Sequence, residues 1–271
     1  MIQDGRGGRN AAMAKPASEG VDSGPATRQC WPGGGVREGL AMQRFSPQWL
    51  AYQWKHHPAS VRLWSDRSLH LVGVDRPAGQ RITASLPFKR NDWDDLTCFQ
   101  QTERWLSRDA FLATARERLD AGIWGYTLAE DGVLLYYAWV RHDVSHSVFP
   151  YVGQTVAFPP HTATSYAGYV HPRGRGRGLF TEGLRHFLGD TFNHTDSQRL
   201  FAGVEGHNRA ALRCHEKAGF THVATLSTRR RLGTATSTGA LEPGHVGLAL
   251  TADGPGRWTV GAPAAAAATP A

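Results

Sequence analysis

The sequence predicts a mixed α/β fold in which a β-sheet carries helices on its faces. Candidate strands come first, and helices then alternate with further strands, an order typical of that architecture. The chain has 271 residues, enough for one large domain or two small ones. Its hydrophobic fraction of 41% is low mainly because of the two ends, so the middle can still bury a core.

Both ends of the chain have compositions unlike that of a folded domain. Residues 1–42 are rich in Gly, Ser, Ala and Arg, so they cannot bury enough apolar surface to offset the entropy lost on ordering. We expect them to form a disordered extension, with Met42 as an alternative start. Residues 253–271 end in an Ala/Pro-rich run and predict a disordered tail. One domain, residues 43–252, remains.

The first half of this domain predicts strands, two helices and a hairpin. In order, the elements are strands at Ser68–Val74 and Arg81–Pro87, helices at Asn91–Leu106 and Ser107–Ala121, and hairpin arms at Ile123–Ala129 and Val133–Val140. Ser107 is a good N-cap, and Gly122 suits the position just after a helix end. Asp131-Gly132, between the two arms, is a strong hairpin signal.

The second half predicts strands that alternate with two helices. In order, the elements are strands at Ser147–Phe158 and Ala163–Val170, a helix at Leu179–Leu188, a strand at Leu200–Glu205, a helix at Asn208–Ala218, and strands at Phe220–Leu226 and Gly244–Leu250. Phe180, Leu184 and Phe187 recur at helical spacing, which predicts that they form the buried stripe of the first helix.

A glycine-rich loop, residues 171–178, joins a predicted strand to a predicted helix. The first N–H groups of a helix have no internal partners, and together with the helix dipole they attract an anion. The spacing lacks the GxxxxGK[ST] of a Walker loop and the GxGxxG of a dinucleotide-binding loop. What remains is Arg-x-x-Gly-x-Gly, formed by Arg173, Gly176 and Gly178.

This segment resembles the signature of the GCN5-related N-acetyltransferases (GNAT), whose loop binds the pyrophosphate of acetyl-CoA. The resemblance implies a central, mostly antiparallel sheet flanked by helices, with Gly168–His171 pairing with the pantetheine arm. It extends over about residues 120–227. The residues implied to contact the cofactor are Tyr169, Val170, His171, Arg173, Gly174, Arg175, Gly176, Arg177, Gly178, Leu179 and Asn208.

A second segment, Asn208–Phe220, resembles the family motif in which an Asn is followed seven residues later by Tyr-Glu-Lys-x-Gly-Phe. In the family, the Asn contacts the pantetheine amides and the Tyr often donates a proton to the leaving thiolate. His215 replaces that Tyr here. It is a candidate catalytic acid, since an imidazolium can donate a proton; the alternative is that it only packs against the cofactor.

Attack by an amine on a thioester requires the neutral amine, so a base is expected. Glu205, which ends a predicted strand near the presumed site, is our candidate; Tyr166, Tyr169, His171 and His207 are nearby in sequence. Residues 147–160 are expected to lie over the site as an inserted loop or strand. Trp124 and Trp139, on the two hairpin arms, are candidates for lining an acceptor groove.

The predicted function is therefore transfer of an acetyl group from acetyl-CoA to a primary amine by direct attack in a ternary complex. The acceptor is expected to be a small molecule or a peptide. A non-catalytic CoA-binding module is one alternative. A nucleic-acid-binding protein that uses the net charge of +7 is another, although no nucleic-acid partner is expected.

Further sequence features bear on location and metal binding. His142 and His146 have a metal-like spacing but no third ligand in view, so no metal is expected. The three widely spaced cysteines favour a reducing, cytoplasmic setting. No apolar run approaches the roughly 18 residues of a membrane span. The oligomeric state is open, with a homodimer as one option.

Overall fold

A computed structural model of the chain describes residues 64–102, 106–242 and 248–261. The described strands are β1 (Trp64–Asp75), β2 (Lys89–Arg90), β3 (Trp124–Glu130), β4 (Val133–Arg141), β5 (His146–Phe149), β6 (Gln154–Ala157), β7 (Thr162–Val170), β8 (Arg199–Glu205), β9 (Thr221–Arg231), β10 (Thr234–Leu241), β11 (Ala249–Gly254) and β12 (Arg257–Gly261). The described α-helices are α1 (Arg76–Gly79), α2 (Trp93–Thr97), α3 (Arg108–Asp120), α4 (Leu179–His194) and α5 (Arg209–Lys217).

Eight of these strands form the main sheet, in the order β10-β9-β1-β8-β7-β4-β3-β2. Every neighbouring pair is antiparallel except β7 and β8, which run parallel. The prediction of a mostly antiparallel sheet flanked by helices is confirmed. No helix in the described part of the chain is long and apolar enough to cross a membrane.

Strand β4 shows how the sheet separates two cores. Leu135 and Ala138 pack into one core with the α4 residues Leu184 and Phe187. Trp139 and its neighbours on the opposite side pack with α3. The two sides of the main sheet are called here the α4 face and the α3 face, and alternation of side chains along each strand assigns residues to them.

A gap opens in the sheet between β7 and β8. The two strands pair only from Thr162–Ser165 to Arg199–Ala202. Beyond that point, the register of β7 against β4 shifts at a bulge, where Ala167 has a φ of +51°. A bulge bends its strand. The β7–β8 gap, between Tyr166–Val170 and Gly203–Glu205, is the result.

A second sheet, in the order β11-β12-β6-β5, covers part of the α3 face. Val156 and Val260 from this sheet share a core with Phe201 of β8, which alternates with residues of the α4 face. The buried Gln154 fixes the contact, because its Nε2 donates to the Ser227 carbonyl at 2.7 Å and its Oε1 accepts from Trp258 Nε1 at 2.6 Å.

Several local predictions agree with the structure. Ser107 caps α3, accepting at Oγ from the Ala110 N–H. Gly122 follows that helix with a φ of +73°. Asp131 and Gly132 both have positive φ in the β3–β4 turn, as a tight hairpin with matching twist requires.

Other element predictions are wrong. Arg81–Pro87 is not a strand, and only Lys89–Arg90 pairs with β3. The helix expected at Asn91–Leu106 is limited to α2 and ends at Thr97, while residues 103–105 lie outside the described part. Asn91 has a φ of +56°, which prevents helix formation there, and its side chain accepts from the Gly125 N–H instead.

The longest predicted strand and the predicted tail also need correction. Ser147–Phe158 is divided into β5 and β6 by a turn at Gly153, where φ is +64°. Residues 253–261 are not a tail, because Trp258 and Val260 pack into the core under the second sheet. Residues 1–63, 243–247 and 262–271, on which the remaining boundary predictions fall, lie outside the described part.

Candidate functional site

A cavity of about 800 Å³ occupies the β7–β8 gap on the α4 face. Its walls come from β4, β7, β8, the glycine-rich loop, α4 and α5. The residues that line its apolar interior include Ala138, Phe180, Leu184, Phe187, Val204, Ala211 and Cys214. The gap in the sheet and the start of α4 are therefore parts of one site, and both sequence motifs contribute residues to its lining.

The glycine-rich loop presents a run of unpaired backbone donors to this cavity. Gly176 and Gly178 have φ values of +77° and +76°, a conformation that favours glycine. Gly178 is the N-cap of α4, and the first helical bond is from the Glu182 N–H to the Gly178 carbonyl at 3.1 Å. The N–H groups of residues 176–181 have no hydrogen-bond partner among the described residues. Six consecutive free donors make an anion site.

The three loop arginines do not contribute equally to this site. Arg177 forms two hydrogen bonds with the Glu130 carboxylate, at 2.9 and 3.0 Å, and this ion pair raises the pKa of the guanidinium. Arg175 donates from Nε to the Val170 carbonyl at 3.4 Å. Arg173 has no ion pair within the described part of the chain. Arg173 and Arg175 are thus better placed than Arg177 to supply charge to a bound phosphate.

Two loop residues shape the turn. Gly174 is buried, and a Cβ there would lie 2.8 Å from Leu179 Cδ1, so a larger residue would force the Leu179 side chain to shift. Its N–H donates to the His171 carbonyl at 2.8 Å. His171 is also buried, and its Nδ1 accepts from the Arg173 N–H at 3.2 Å. Burial, followed by the charges of Arg173 and Arg175, lowers the pKa of His171.

Strand β7 contributes one edge of the gap. The Tyr169 ring stacks on Tyr137 with centroids 5.4 Å apart, and its hydroxyl bonds to the Thr102 side chain. Val170 lines the cavity. Because β7 pairs with β4 on one side only beyond Ser165, its other edge faces the gap with backbone groups available to an extended ligand.

Helix α5 forms the opposite wall. Asn208 is its N-cap, and Asn208 Oδ1 accepts from the Ala211 N–H at 3.0 Å. The Nδ2 group of the same side chain makes no hydrogen bond within the described residues, so it remains a donor for a ligand. Asn208, Ala211, Cys214 and His215 all line the cavity, at the spacing of one helix face.

His215 is only 5% exposed and packs edge-on against Phe180 and Phe220. Its Nδ1 lies 2.8 Å from the Ala211 carbonyl, which can only accept, so Nδ1 carries the proton. Burial lowers the pKa of His215, and the Ala211 hydrogen bond only partly opposes that shift. The neutral ring therefore has an acceptor at Nε2 and no spare proton at neutral pH. The acid role remains a prediction, and this geometry favours the packing alternative.

Glu205 ends β8 on the α3 face, two residues after Gly203 and four after Phe201. Its carboxylate is 45% exposed and lies 3.5 Å from His207 Nε2. Tyr151, in the turn between β5 and β6, brings its hydroxyl within 3.3 Å of His207 Nδ1. The sequence places Glu205 and His207 near the site, but the link to Tyr151 depends on the second sheet, which the sequence does not predict.

The two hairpin tryptophans do not share a groove. Trp124 packs into the core of the α4 face, whereas Trp139 is fully buried on the α3 face. The predicted acceptor groove between them is therefore wrong, because Trp124 pairs with Val140 and Trp139 with Gly125, one residue out of phase.

A possible metal-ligand group lies elsewhere. Asp143, His161 and Asp196 bring their ligand atoms within 4.8 Å of one another, and His161 Nδ1 is 2.6 Å from Asp196 Oδ2. All three are exposed, and neither His142 nor His146 belongs to the group.

The sequence matches one protein family, and the fold is similar to that of several solved structures. Residues 86–221, half of the chain, match the family described as "Acetyltransferase (GNAT) domain". A GNAT-family acetyltransferase structure from Colwellia psychrerythraea is 17% identical, with a TM-score of 0.41, over 59% of this chain and 53% of that one. This chain thus spans about half the length of the Colwellia protein. No curated protein matches.

Two further solved structures are similar at the same distant level. The YncA structure from Salmonella typhimurium, with its cofactor acetyl-CoA, is 22% identical over 65% of this chain and 95% of that one, with a TM-score of 0.35. A ribosomal-protein-alanine N-acetyltransferase from Brucella melitensis is 15% identical over 58% and 100%, with a TM-score of 0.37. Family membership follows from the sequence match, and the chain belongs to the GNAT acetyltransferase family.

Proposed function

We propose that this protein transfers an acetyl group from acetyl-CoA to a primary amine. The run of six free N–H groups at residues 176–181, four of whose residues line an apolar cavity in a split sheet, is the observation that carries the proposal. A pyrophosphate fits the N–H groups, and an extended amide-bearing arm fits the free edge of β7 and Asn208 Nδ2. The thioester then lies where β7 and β8 separate.

The amine would enter the gap from the α3 face. Its nitrogen attacks the thioester carbonyl carbon, the C–N bond forms, and the C–S bond breaks to release the CoA thiolate. The attacking ammonium must lose a proton, because only the neutral amine is nucleophilic. Glu205 accepts that proton in this scheme, and His207, 3.5 Å away, passes it towards solvent.

The thiolate gains a proton as it leaves, so the reaction is balanced. His215 faces the cavity as a neutral ring whose Nδ1 proton is held by Ala211, and we therefore assign it to the cavity wall. Water supplies the thiol proton in this scheme. The same observation favours a second candidate function, a CoA-binding module without catalysis.

Release of free CoA thiol from acetyl-CoA, measured against a panel of primary amines, tests the proposal. We expect thiol release that depends on the amine, and a product heavier than the amine by one acetyl group. Glu205→Gln should lower kcat by roughly 100-fold or more while leaving acetyl-CoA affinity unchanged. Glu216→Gln is the matched control, since Glu216 is exposed on α5 away from the gap.

Two outcomes would each contradict a different part of this proposal. Stabilisation by acetyl-CoA without thiol release from any amine would favour the non-catalytic module. A Glu205→Gln enzyme with full turnover would retain the transferase function but remove Glu205 from it.

A further inference from the structure

Arg118, in the last turn of α3, is a half-buried cation that forms no ion pair in the described part of the chain. Its guanidinium carbon lies 5.0 Å from the centre of the Trp139 ring and 5.1 Å from that of Tyr166. No carboxylate and no hydrogen-bond acceptor among the described residues bonds to it. Burial lowers its pKa, although an arginine in a protein stays charged.

Two other arginines that stack on aromatic rings in the described part of the chain, Arg90 and Arg231, are paired with carboxylates. Arg90 lies over Trp124 and also forms a 2.9 Å ion pair with Asp190. Arg231 lies over Trp64 and forms a 2.7 Å ion pair with Asp66. A partly desolvated cation without such a partner is costly, since ring contacts replace only part of its hydration. The half-buried Arg118 thus lacks the carboxylate partner that Arg90 and Arg231 have.

The position of Arg118 connects it to the gap. Tyr166, which it contacts, lines the cavity and is 37% exposed. Trp139, the other ring that Arg118 covers, is fully buried, and its Nε1 donor has no acceptor. Across the gap, β8 places the Glu205 carboxylate on the same α3 face. Arg118, next to Tyr166 of one wall, therefore offers a cation with free donors, and Glu205 of the other wall offers an anion.

Building on the proposed function, we infer that the acceptor is an amine that also carries an oxyanion, which Arg118 binds beside Tyr166. The ammonium group of such a molecule is drawn towards Glu205 and its carboxylate or phosphate towards Arg118. Both charges of a zwitterion are then matched, and the nitrogen is held at the gap. A plain alkylamine satisfies only Glu205.

Matched acceptors test this inference. Glycine and the L-amino acids that have a primary α-amine are compared with their carboxamides by kcat/KM for thiol release, in wild type and in Arg118→Met. We expect the acid-to-amide ratio to fall by roughly 10- to 100-fold in the variant, the range for a charge-assisted hydrogen bond. Comparing ratios between proteins cancels the different basicities of the two amine series. Aminoalkyl phosphates in place of the acids show which oxyanion is preferred.

Arg116→Met is the matched control. Arg116 is on the same helix and stacks on Trp93 at 3.7 Å, but it is exposed, so its ratio should match wild type. Arg118→Gln, which keeps a polar group, serves if the Met variant does not fold. An unchanged acid-to-amide ratio in either folded variant at position 118 would overturn the inference and leave the transferase proposal intact.

If no amine is turned over, a binding measurement still tests the oxyanion site at Arg118 separately from the transferase proposal. Thermal stabilisation by the amino acids, measured with CoA present, does not require chemistry. Stabilisation by acids but not amides, lost in Arg118→Met and kept in Arg116→Met, supports the inference even for a non-catalytic protein. Equal responses to acids and amides would contradict it.

Discussion

The two faces of the β7–β8 gap differ in how their functional groups are assembled. On the α4 face, the donors come from residues 176–181 and from Asn208, each held by a cap or turn within a few residues. On the α3 face, Arg118, Tyr166 and Glu205 come from three separate elements. The cofactor side is therefore a local structure, whereas the acceptor side exists only when the sheet is assembled.

Breaking the local cradle should have the largest effect. Gly178→Val places a β-branched residue at a φ of +76°, which costs about 1–3 kcal/mol of backbone strain and blocks the N-terminus of α4. We expect acetyl-CoA affinity, measured by calorimetry, to fall at least about tenfold. Gly122→Val is the control, since its φ of +73° gives similar strain far from the cavity. Equal losses of affinity in both variants would contradict the local account.

The cavity wall on the α4 face contains a hydroxyl without a hydrogen-bond partner among the described residues, and its removal tests how that wall is packed. Tyr136 is fully buried, and its hydroxyl has no hydrogen-bond partner among the described residues. Tyr136→Phe should therefore raise the free energy of unfolding by about 1 kcal/mol, or the melting temperature by about 2–4 °C. Tyr126→Phe should lower it, because the Tyr126 hydroxyl donates to Asp190 at 2.8 Å. Thermal denaturation of both variants checks the opposite signs.

The features that could be predicted from the sequence are the local ones. The hairpin at Asp131-Gly132, the cap at Ser107 and the start of α4 depend on neighbouring residues, and the sequence identifies them. For Arg118, the sequence shows only that the residue lies in a helix. Its aromatic neighbours and the absence of an ion pair depend on tertiary packing. The strand at residues 257–261 was not predicted, because the Ala/Pro-rich run that follows it gives the whole segment the composition of a tail.

His215 offers a smaller, pH-dependent test of the α4 face. The unfolded chain binds a proton at an imidazole of ordinary pKa near 6.5, whereas the folded chain resists it because burial lowers the pKa. The free energy of unfolding should therefore fall as pH drops through about 6.5, and His215→Phe should remove part of that fall. Denaturant titrations between pH 5 and 7 measure it, within roughly the range where histidine titrates.

The same variant, His215→Phe, distinguishes a packing role in the cavity wall from a role as the catalytic acid. We expect kcat of His215→Phe to stay within about tenfold of wild type, because loss of a general acid costs roughly 100-fold or more. A larger loss, with acetyl-CoA affinity retained, would restore His215 to the catalytic role predicted from the sequence.

The smallest effect is expected from the ion pair beside the cradle. Glu130→Gln releases Arg177, whose guanidinium then has no carboxylate partner within the described residues. We expect a slight gain in acetyl-CoA affinity that weakens as salt is added, because the pair is exposed and its charges are screened. A clear loss of affinity would mean that the pair holds the loop in its binding conformation.

Hydrogen–deuterium exchange with and without acetyl-CoA tests the central claim most directly. We predict slower exchange at residues 176–181, whose N–H groups are free, and along the open edge of β7. Exchange in β11 and β12, on the second sheet, should not change. No protection at residues 176–181 in the presence of bound acetyl-CoA would contradict the claim that these groups hold the cofactor.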